Sequence, residues 1–176
     1  MKTFTVIGGV DGVGKSSLSG VLSAENSDLG IIIDTDKITS QKGGDKIIGG
    51  KAAIKLISDC LKKGINFTQE TTLSGVRTLK TIQNARDSGY VIRLYYVGVS
   101  SANESIKRIK NRVEKGGHDI PSEDVRRRYA KRFEDLAKIL PYCNEVRFFD
   151  NENGFTEKAE YKNGMLIPKP NRCRNG

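Results

Sequence analysis

The chain has 176 residues, 36% of them hydrophobic and 29% charged, the composition of one soluble domain with room for a core. No apolar run approaches the roughly 18 residues of a membrane span. The N-terminus enters a strand rather than a signal peptide, and Cys60, Cys143 and Cys173 are too scattered for a disulfide framework or a zinc site, so a reducing cytoplasm is expected. The net charge of +9 raises nucleic acid as a partner, but the excess is local: residues 101–132 hold ten Lys/Arg against five acids, and residues 158–176 hold five against one. Aromatics do not interleave with these bases as a stacking platform requires. The first segment therefore fits phosphate chemistry better than nucleic acid, and the second reads as a solvated end.

Thr3–Ile7 is an apolar, β-branched run that predicts a buried strand. Gly9-Val10-Asp11-Gly12-Val13-Gly14-Lys15-Ser16 then fits G-x-x-x-x-G-K-[ST], the phosphate-binding loop. Leu18, Val21 and Leu22 follow at helical spacing, so the loop joins a strand to a helix N-terminus. Glycine lets the backbone curl with its N–H groups inward, and the helix end adds unpaired donors and partial positive charge. Lys15 can reach the β- and γ-phosphates and the Ser16 hydroxyl can take a place on Mg²⁺. The nucleotide-binding set is Gly9, Asp11, Gly12, Val13, Gly14, Lys15, Ser16 and Ser17.

Gly30–Asp36 is a short apolar run ending in carboxylates, and its continuity suits a strand covered on both faces. Asp34 and Asp36 fall at its carboxyl end, where open α/β sheets bind ligands; Asp36 reads as functional, Asp34 as functional or a helix cap. Ser40–Gly50 reads as a polar, Gly-rich loop fading into a helix that Gly64 stops. Asn66–Thr72 is the next strand, with Glu70 near its end and the hydroxyls of Thr71, Thr72 and Ser74 beyond. An ionised group in such a run marks either a site or an exposed edge strand.

A helix is expected over Val76–Ser88 and the strongest strand over Val91–Val97. Ser101 and Glu104 form a capping-box signal for a helix on which Arg108 and Arg112 share a face. Gly116–Pro121 is a loop, and Ser122 caps a further helix in which Val125, Tyr129, Phe133, Leu136 and Leu140 repeat at helical spacing. With Val125 facing the core, Arg128 lies nearer a cleft than Arg127. His118, the only histidine, is either a lid donor or a plain loop residue. A mobile segment bearing arginines suits phosphoryl transfer, which needs positive charge on the moving group and exclusion of water. Glu145–Asp150 is a last core strand, and Thr156–Tyr161 and Met165–Ile167 flank Asn163-Gly164, a hairpin signal; the remainder to Gly176 reads as frayed.

The blocks GGVDGVGKSSL, IDTDKI, QETTLSG, GYVIRLYYVGVSS, RIKNRVEKGGHDIP, EDVRRRY and FFDNENG, in this order, make the chain resemble the zeta toxin family of P-loop kinases, in its short, single-domain branch. It departs from that branch at Lys131 and Arg132, where Arg then Ser is usual. The resemblance implies a doubly wound, mostly parallel α/β sheet, with a kinase-like domain over 1–154, a helical lid at about 101–132, and a C-terminal β-hairpin and tail over 155–176 of the same domain. It implies ATP and Mg²⁺ as cofactors, and transfer of the γ-phosphate to a hydroxyl of a small molecule. The family's better-known members use a sugar hydroxyl of UDP-N-acetylglucosamine. Asp36 matches the family's base, Glu70 a carboxylate at the substrate and metal site beside Ser16, and Arg108 a lid arginine on the phosphates. The expected catalytic set is thus Lys15, Asp36, Arg108 and Arg112, and the substrate set is Asp36, Glu70, Thr71, Thr72, Ser74, His118 and Arg128. An antitoxin protein is a further expected partner. The +9 charge keeps open another class, an ATP-binding module with slow hydrolysis that binds nucleic acid or a protein.

Overall fold

A computed structural model describes residues 1–25 and 28–170. Its elements in chain order are β1 (Thr3–Gly8), α1 (Lys15–Ala24), β2 (Ile31–Asp34), α2 (Thr35–Gln41), α3 (Lys46–Lys63), β3 (Phe67–Thr71), α4 (Val76–Asp87), β4 (Val91–Gly98), α5 (Ala102–Glu114), α6 (Ser122–Ile139), β5 (Glu145–Asp150), β6 (Thr156–Lys162) and β7 (Met165–Pro168). One seven-stranded sheet runs β2-β3-β1-β4-β5-β6-β7. Strands β2, β3, β1, β4 and β5 are parallel, and β6 and β7 continue antiparallel. This is the expected doubly wound α/β architecture. All the parallel strands point their carboxyl ends the same way, so the loops after them gather at one edge.

Alternation along the strands divides the core between two faces. Phe4, Val6, Phe67, Ile92, Leu94 and Tyr96 face one cluster, shared with Ile57 of α3, Ile82 of α4 and Leu136 and Ile139 of α6. Ile7, Tyr95 and Val97 face the other, shared with Leu18 and Leu22 of α1. The hairpin forms at Asn163-Gly164, whose φ values of 53° and 79° suit the tight turn that Asn-Gly favours. Cys60 and Cys143 are free thiols, and burial pushes the Cys143 thiol up to about 12. Among the described residues no helix is long and apolar enough to cross a membrane. The tail expected to fray lies, over 171–176, outside the described residues.

Several local expectations are corrected. The second strand ends at Asp34, two residues early, because the Asp34 carboxylate accepts from the backbone N–H groups of Asp36 and Lys37 and starts α2. Asp34 is therefore a cap, and Asp36 lies in the first turn of α2. Much of the stretch read as a loop over 40–50 is helical, since Asp45 caps α3 in the same way through Ile47 and Ile48. Gly49 within α3 permits close packing on α2: a Cβ there would lie 2.6 Å from the Thr39 Cα. β2 is not covered on both faces but forms the sheet edge, with Ile31 and Ile32 exposed. Conversely β3 is interior, flanked by β1 and β2, so Glu70 is not an edge-strand charge. Ser122 does not cap α6: Pro121 holds the N-cap position and no side chain caps it. Phe133 is exposed, with the Arg132 guanidinium over its ring rather than a core around it.

Candidate active site

The phosphate loop connects β1 to α1 with almost no spare volume. Gly9 takes φ 151°, and a Cβ there would sit 2.4 Å from the Val97 carbonyl oxygen. Gly12 at φ 78° lies against the backbone of Ser105 in α5, at 2.7 Å for the same added atom. Gly14 takes φ 100° at the N-cap of α1. Val13 is fully buried, and its carbonyl accepts from Asn151 Nδ2 at 2.8 Å. The loop is thus shaped by packing on β4, on α5 and on the exit of β5.

Lys15 donates through Nζ to the carbonyls of Gly9 and Val10, both at 3.0 Å. Burial lowers its pKa, with the carboxylates of Asp11, Glu70, Asp36 and Asp34 acting in the opposite direction. Ser16, the first serine after it, donates to Glu70 Oε2 at 2.6 Å and lies 3.4 Å from Asp34 Oδ2. Ser19, one turn further along α1, donates to Glu70 Oε1 at 2.6 Å. Two hydroxyls from α1 and two carboxylates, from β2 and β3, therefore converge. These hard oxygen donors fit Mg²⁺, which is bound by one or two carboxylates with water and nucleotide phosphates rather than by an all-protein cage. No cluster of His, Cys, Asp and Glu that could hold a metal by itself occurs among the described residues.

The arginines come from α5 and α6. Arg108 pairs with Glu104 at 2.7 Å on its own helix, and its Nη2 donates to the Asn151 carbonyl at 2.7 Å. Arg112 donates to the His118 carbonyl at 2.7 Å. Arg128 spans to the loop, with Nη1 2.7 Å from Asp11 Oδ2. Tyr129 fixes the same helix by donating to the Val99 carbonyl at 3.1 Å.

These groups surround one cleft of about 820 Å³ at the carboxyl edge of the sheet. Of the residues expected from sequence, Asp11, Gly12, Gly14, Lys15, Ser16, Ser17, Asp36, Glu70, Thr71, Thr72, Ser74, Arg108, Arg112 and Arg128 line it. Gly9 and Val13 are not in the lining but shape the loop from beneath. His118 is exposed and not in the lining either; its carbonyl is the part that takes part, by holding Arg112. Sequence reasoning missed Ser19, Asn151, Gln69 and Arg77. Ser19 was one helical turn from Ser16, a spacing that could have pointed to it. Asn151 stood at a strand end beside the phosphate loop, which only the tertiary fold reveals.

The zeta toxin family model matches residues 50–154. An uncharacterized protein of Haemophilus influenzae (strain Rd) is 34% identical over 126 residues, covering 69% of this chain and 88% of its own. Among solved structures, the one of the PezAT chromosomal toxin–antitoxin system of Streptococcus pneumoniae superposes with a TM-score of 0.68 at 17% identity, over 89% of this chain and 71% of that chain. The AvrRxo1-ORF1:-ORF2 complex with ATP gives 0.68 at 16% identity, over 96% of this chain and 61% of the other. At these identities the structural likeness speaks for the fold alone, while the family match rests on sequence. The chain belongs to the zeta toxin family and is a P-loop kinase, an ATP-dependent phosphotransferase.

Proposed function

We propose that this kinase moves the γ-phosphate of ATP to a hydroxyl of a small molecule, with a sugar nucleotide such as UDP-N-acetylglucosamine as a candidate acceptor. The observation behind this reading is that Lys15, Ser16 and Glu70 meet on one side of a cleft whose other walls bring Asp36 and the arginines Arg108, Arg112 and Arg128. Lys15 and the loop N–H groups hold the β- and γ-phosphates. Ser16, Glu70 and Asp34 would hold Mg²⁺, which would supply positive charge to neutralise that developing on the phosphates. The acceptor oxygen attacks the γ-phosphorus as the bond to the β-phosphate oxygen breaks, and Asp36 takes the hydroxyl proton. In a loose transition state that proton leaves late, so Asp36 also orients the hydroxyl. Arg108, Arg112 and Arg128 neutralise the moving phosphoryl group, with α5, α6 and the turn between them as a lid. The likeness to a toxin–antitoxin structure supports an antitoxin as protein partner.

Titration with a non-hydrolysable ATP analogue tests the nucleotide half of this reading, and binding is expected to need Mg²⁺. A mass-spectrometric screen of sugar nucleotides, nucleosides and free sugars for ATP-dependent mass gain tests the acceptor half. Hydrolysis of ATP with no acceptor phosphorylated would replace this reading by that of an ATPase.

A further inference from the structure

The cleft straddles the sheet. Side chains alternate along β3, so Glu70 points to the α1 face, where the phosphate loop lies, while Gln69 and Thr71 point to the α4 face. On that second face Gln69 lines the cleft yet is only 7% exposed, and its amide oxygen accepts no hydrogen bond among the described residues. Buried acceptors are almost always satisfied, so a group poised in a ligand cleft without a donor marks a place for a ligand donor. The neighbouring hydroxyls bond each other rather than this oxygen. Thr71 and Thr78 bond each other at 3.0 Å, and Thr72 and Ser74 do so at 2.7 Å.

The turn that leads from there into α4 is held in a costly shape. Leu73 has φ 63°, unusual for a residue with a side chain, and is buried against Gly8. This conformation aims the N-terminus of α4 at the cleft. Gly75 is its N-cap and no side chain caps it, so its first N–H groups are open donors. Arg77, in the first turn, also lines the cleft, and its guanidinium has no hydrogen-bond or ion-pair partner among the described residues. The same cleft contains Asp34, Asp36 and Glu70, whose charges would repel an anionic acceptor. A cation and a helix N-terminus on the acceptor side are what such a ligand needs, and a neutral ligand has no use for them.

We propose that Gln69, Arg77 and the N-terminus of α4 form the acceptor-recognition site of this chain, and that the acceptor is a small polyol bearing an anionic group, a phosphate or a carboxylate. Arg77 and the α4 N–H groups hold the anion, and the Gln69 amide oxygen accepts from a hydroxyl or N–H beside it. This rests on the kinase reading, since it is the acceptor that the site would receive.

Matched pairs of ligands test it. Glycerol 3-phosphate with glycerol, glucose 6-phosphate with glucose, and glucuronate with glucose are titrated into protein saturated with Mg²⁺ and the ATP analogue. The anionic member of at least one pair is expected to bind at least about tenfold more tightly than the neutral one, the span expected for a charge-assisted hydrogen bond. The phosphate and carboxylate arms tell which anion is preferred. Arg77→Ala should weaken the preferred ligand by roughly 10- to 100-fold, and Gln69→Leu by roughly tenfold, with the affinity of the analogue unchanged. Arg77 is exposed, so its substitution leaves the core intact; Gln69→Glu, of the same size, serves if Gln69→Leu does not fold. The proposal is overturned if no anionic member outbinds its neutral partner, or if the preference survives Arg77→Ala. The kinase reading fails separately, through absence of analogue binding. The same pairs are then titrated into the protein alone, with the same criterion.

Discussion

On the α1 side of the sheet, most of the charged and hydroxyl groups that face the cleft already have protein partners. Lys15 is held by two loop carbonyls, Ser16 and Ser19 by Glu70, Arg108 by Glu104 and Asn151, and Arg128 by Asp11. On the acceptor side Thr71 bonds Thr78 and Thr72 bonds Ser74, but the Gln69 amide oxygen, the Arg77 guanidinium and the Asp36 carboxylate have no hydrogen-bond or ion-pair partner among the described residues. The first side is built for a ligand whose chemistry is fixed. Protein oxygens stand where phosphate oxygens and metal would go, and the geometry survives without them. The second side keeps its binding groups open, so its selectivity depends on whichever ligand completes them. Substitutions on the first side should therefore change folding or nucleotide affinity, while those on the second should change turnover or acceptor affinity alone.

Asp36→Asn gives the largest contrast. Turnover is expected to fall by roughly 10²–10⁴, the usual range for a positioned acid or base. Affinity for the ATP analogue should hold or tighten, because a negative charge near the phosphates is removed. The melting temperature should stay unchanged, since the Asp36 side chain is exposed. Full activity in Asp36→Asn would remove it from the proton-transfer role. A lower melting temperature would mean that the two sides are not separable.

Lys15→Met acts on the other side. Loss of one preorganised cationic donor should cost roughly 10²–10³ in turnover, with weaker analogue binding. The pH dependence is the sharper readout. Burial lowers the Lys15 pKa from 10.5 in the folded protein. Between that lowered value and 10.5 the unfolded chain binds more protons than the folded one, so stability of the nucleotide-free protein rises with pH across this window. Lys15→Met should remove that rise, which thermal melts between pH 7 and 10 would detect. An unchanged pH profile would show that the four nearby carboxylates cancel the effect of burial.

How much of each side was legible in the sequence follows the same division. The phosphate loop could be read because its function demands particular residues at fixed spacing in one short segment: Gly9, Gly14, Lys15 and Ser16. Much of the sheet could be read because strands such as Val91–Val97 are dense in β-branched and aromatic residues. Glu70 could be assigned only through a resemblance, since its local pattern suited an exposed edge equally well and strand order is a tertiary fact. Asp34 stayed open between a site and a cap because a capping carboxylate and a strand-end carboxylate look alike until the helix start is seen. Gln69 and Arg77 were missed because neither residue type is unusual in a strand or a helix. What distinguishes them is burial without a partner and a place in the cleft, neither of which is a property of local sequence.

Gly14→Ala should combine both kinds of damage. At φ 100° a side chain costs about 1–2 kcal/mol. The new Cβ would also lie 2.5 Å from Asn151 Nδ2, displacing the bond that Asn151 makes to the Val13 carbonyl. Analogue affinity should fall together with the melting temperature. Loss of affinity at full stability would show that the loop's shape and the fold are independent.

The smallest expected effect is at the ion pair of Asp11 with Arg128, the salt bridge by which α6 reaches the phosphate loop. The Asp11 side chain is 8% exposed and that of Arg128 31%, so the pair lies between the exposed and buried limits. Arg128→Ala should then cost about 1–2 kcal/mol, most of it from leaving the Asp11 carboxylate without its counter-charge. Asp11→Asn in that background should recover most of the loss, because a neutral amide carries no such penalty. The cycle of the two substitutions should give a coupling of about 1 kcal/mol in the nucleotide-free protein. Repeating it with Mg²⁺ and the ATP analogue decides what the pair is for. If Arg128 moves to the γ-phosphate, Asp11 only holds its place, and the coupling should drop below about 0.3 kcal/mol, the error of such cycles. A coupling that stays at its nucleotide-free value would make Arg128 a strut between α6 and the loop, and leave Arg108 and Arg112 to neutralise the phosphoryl group.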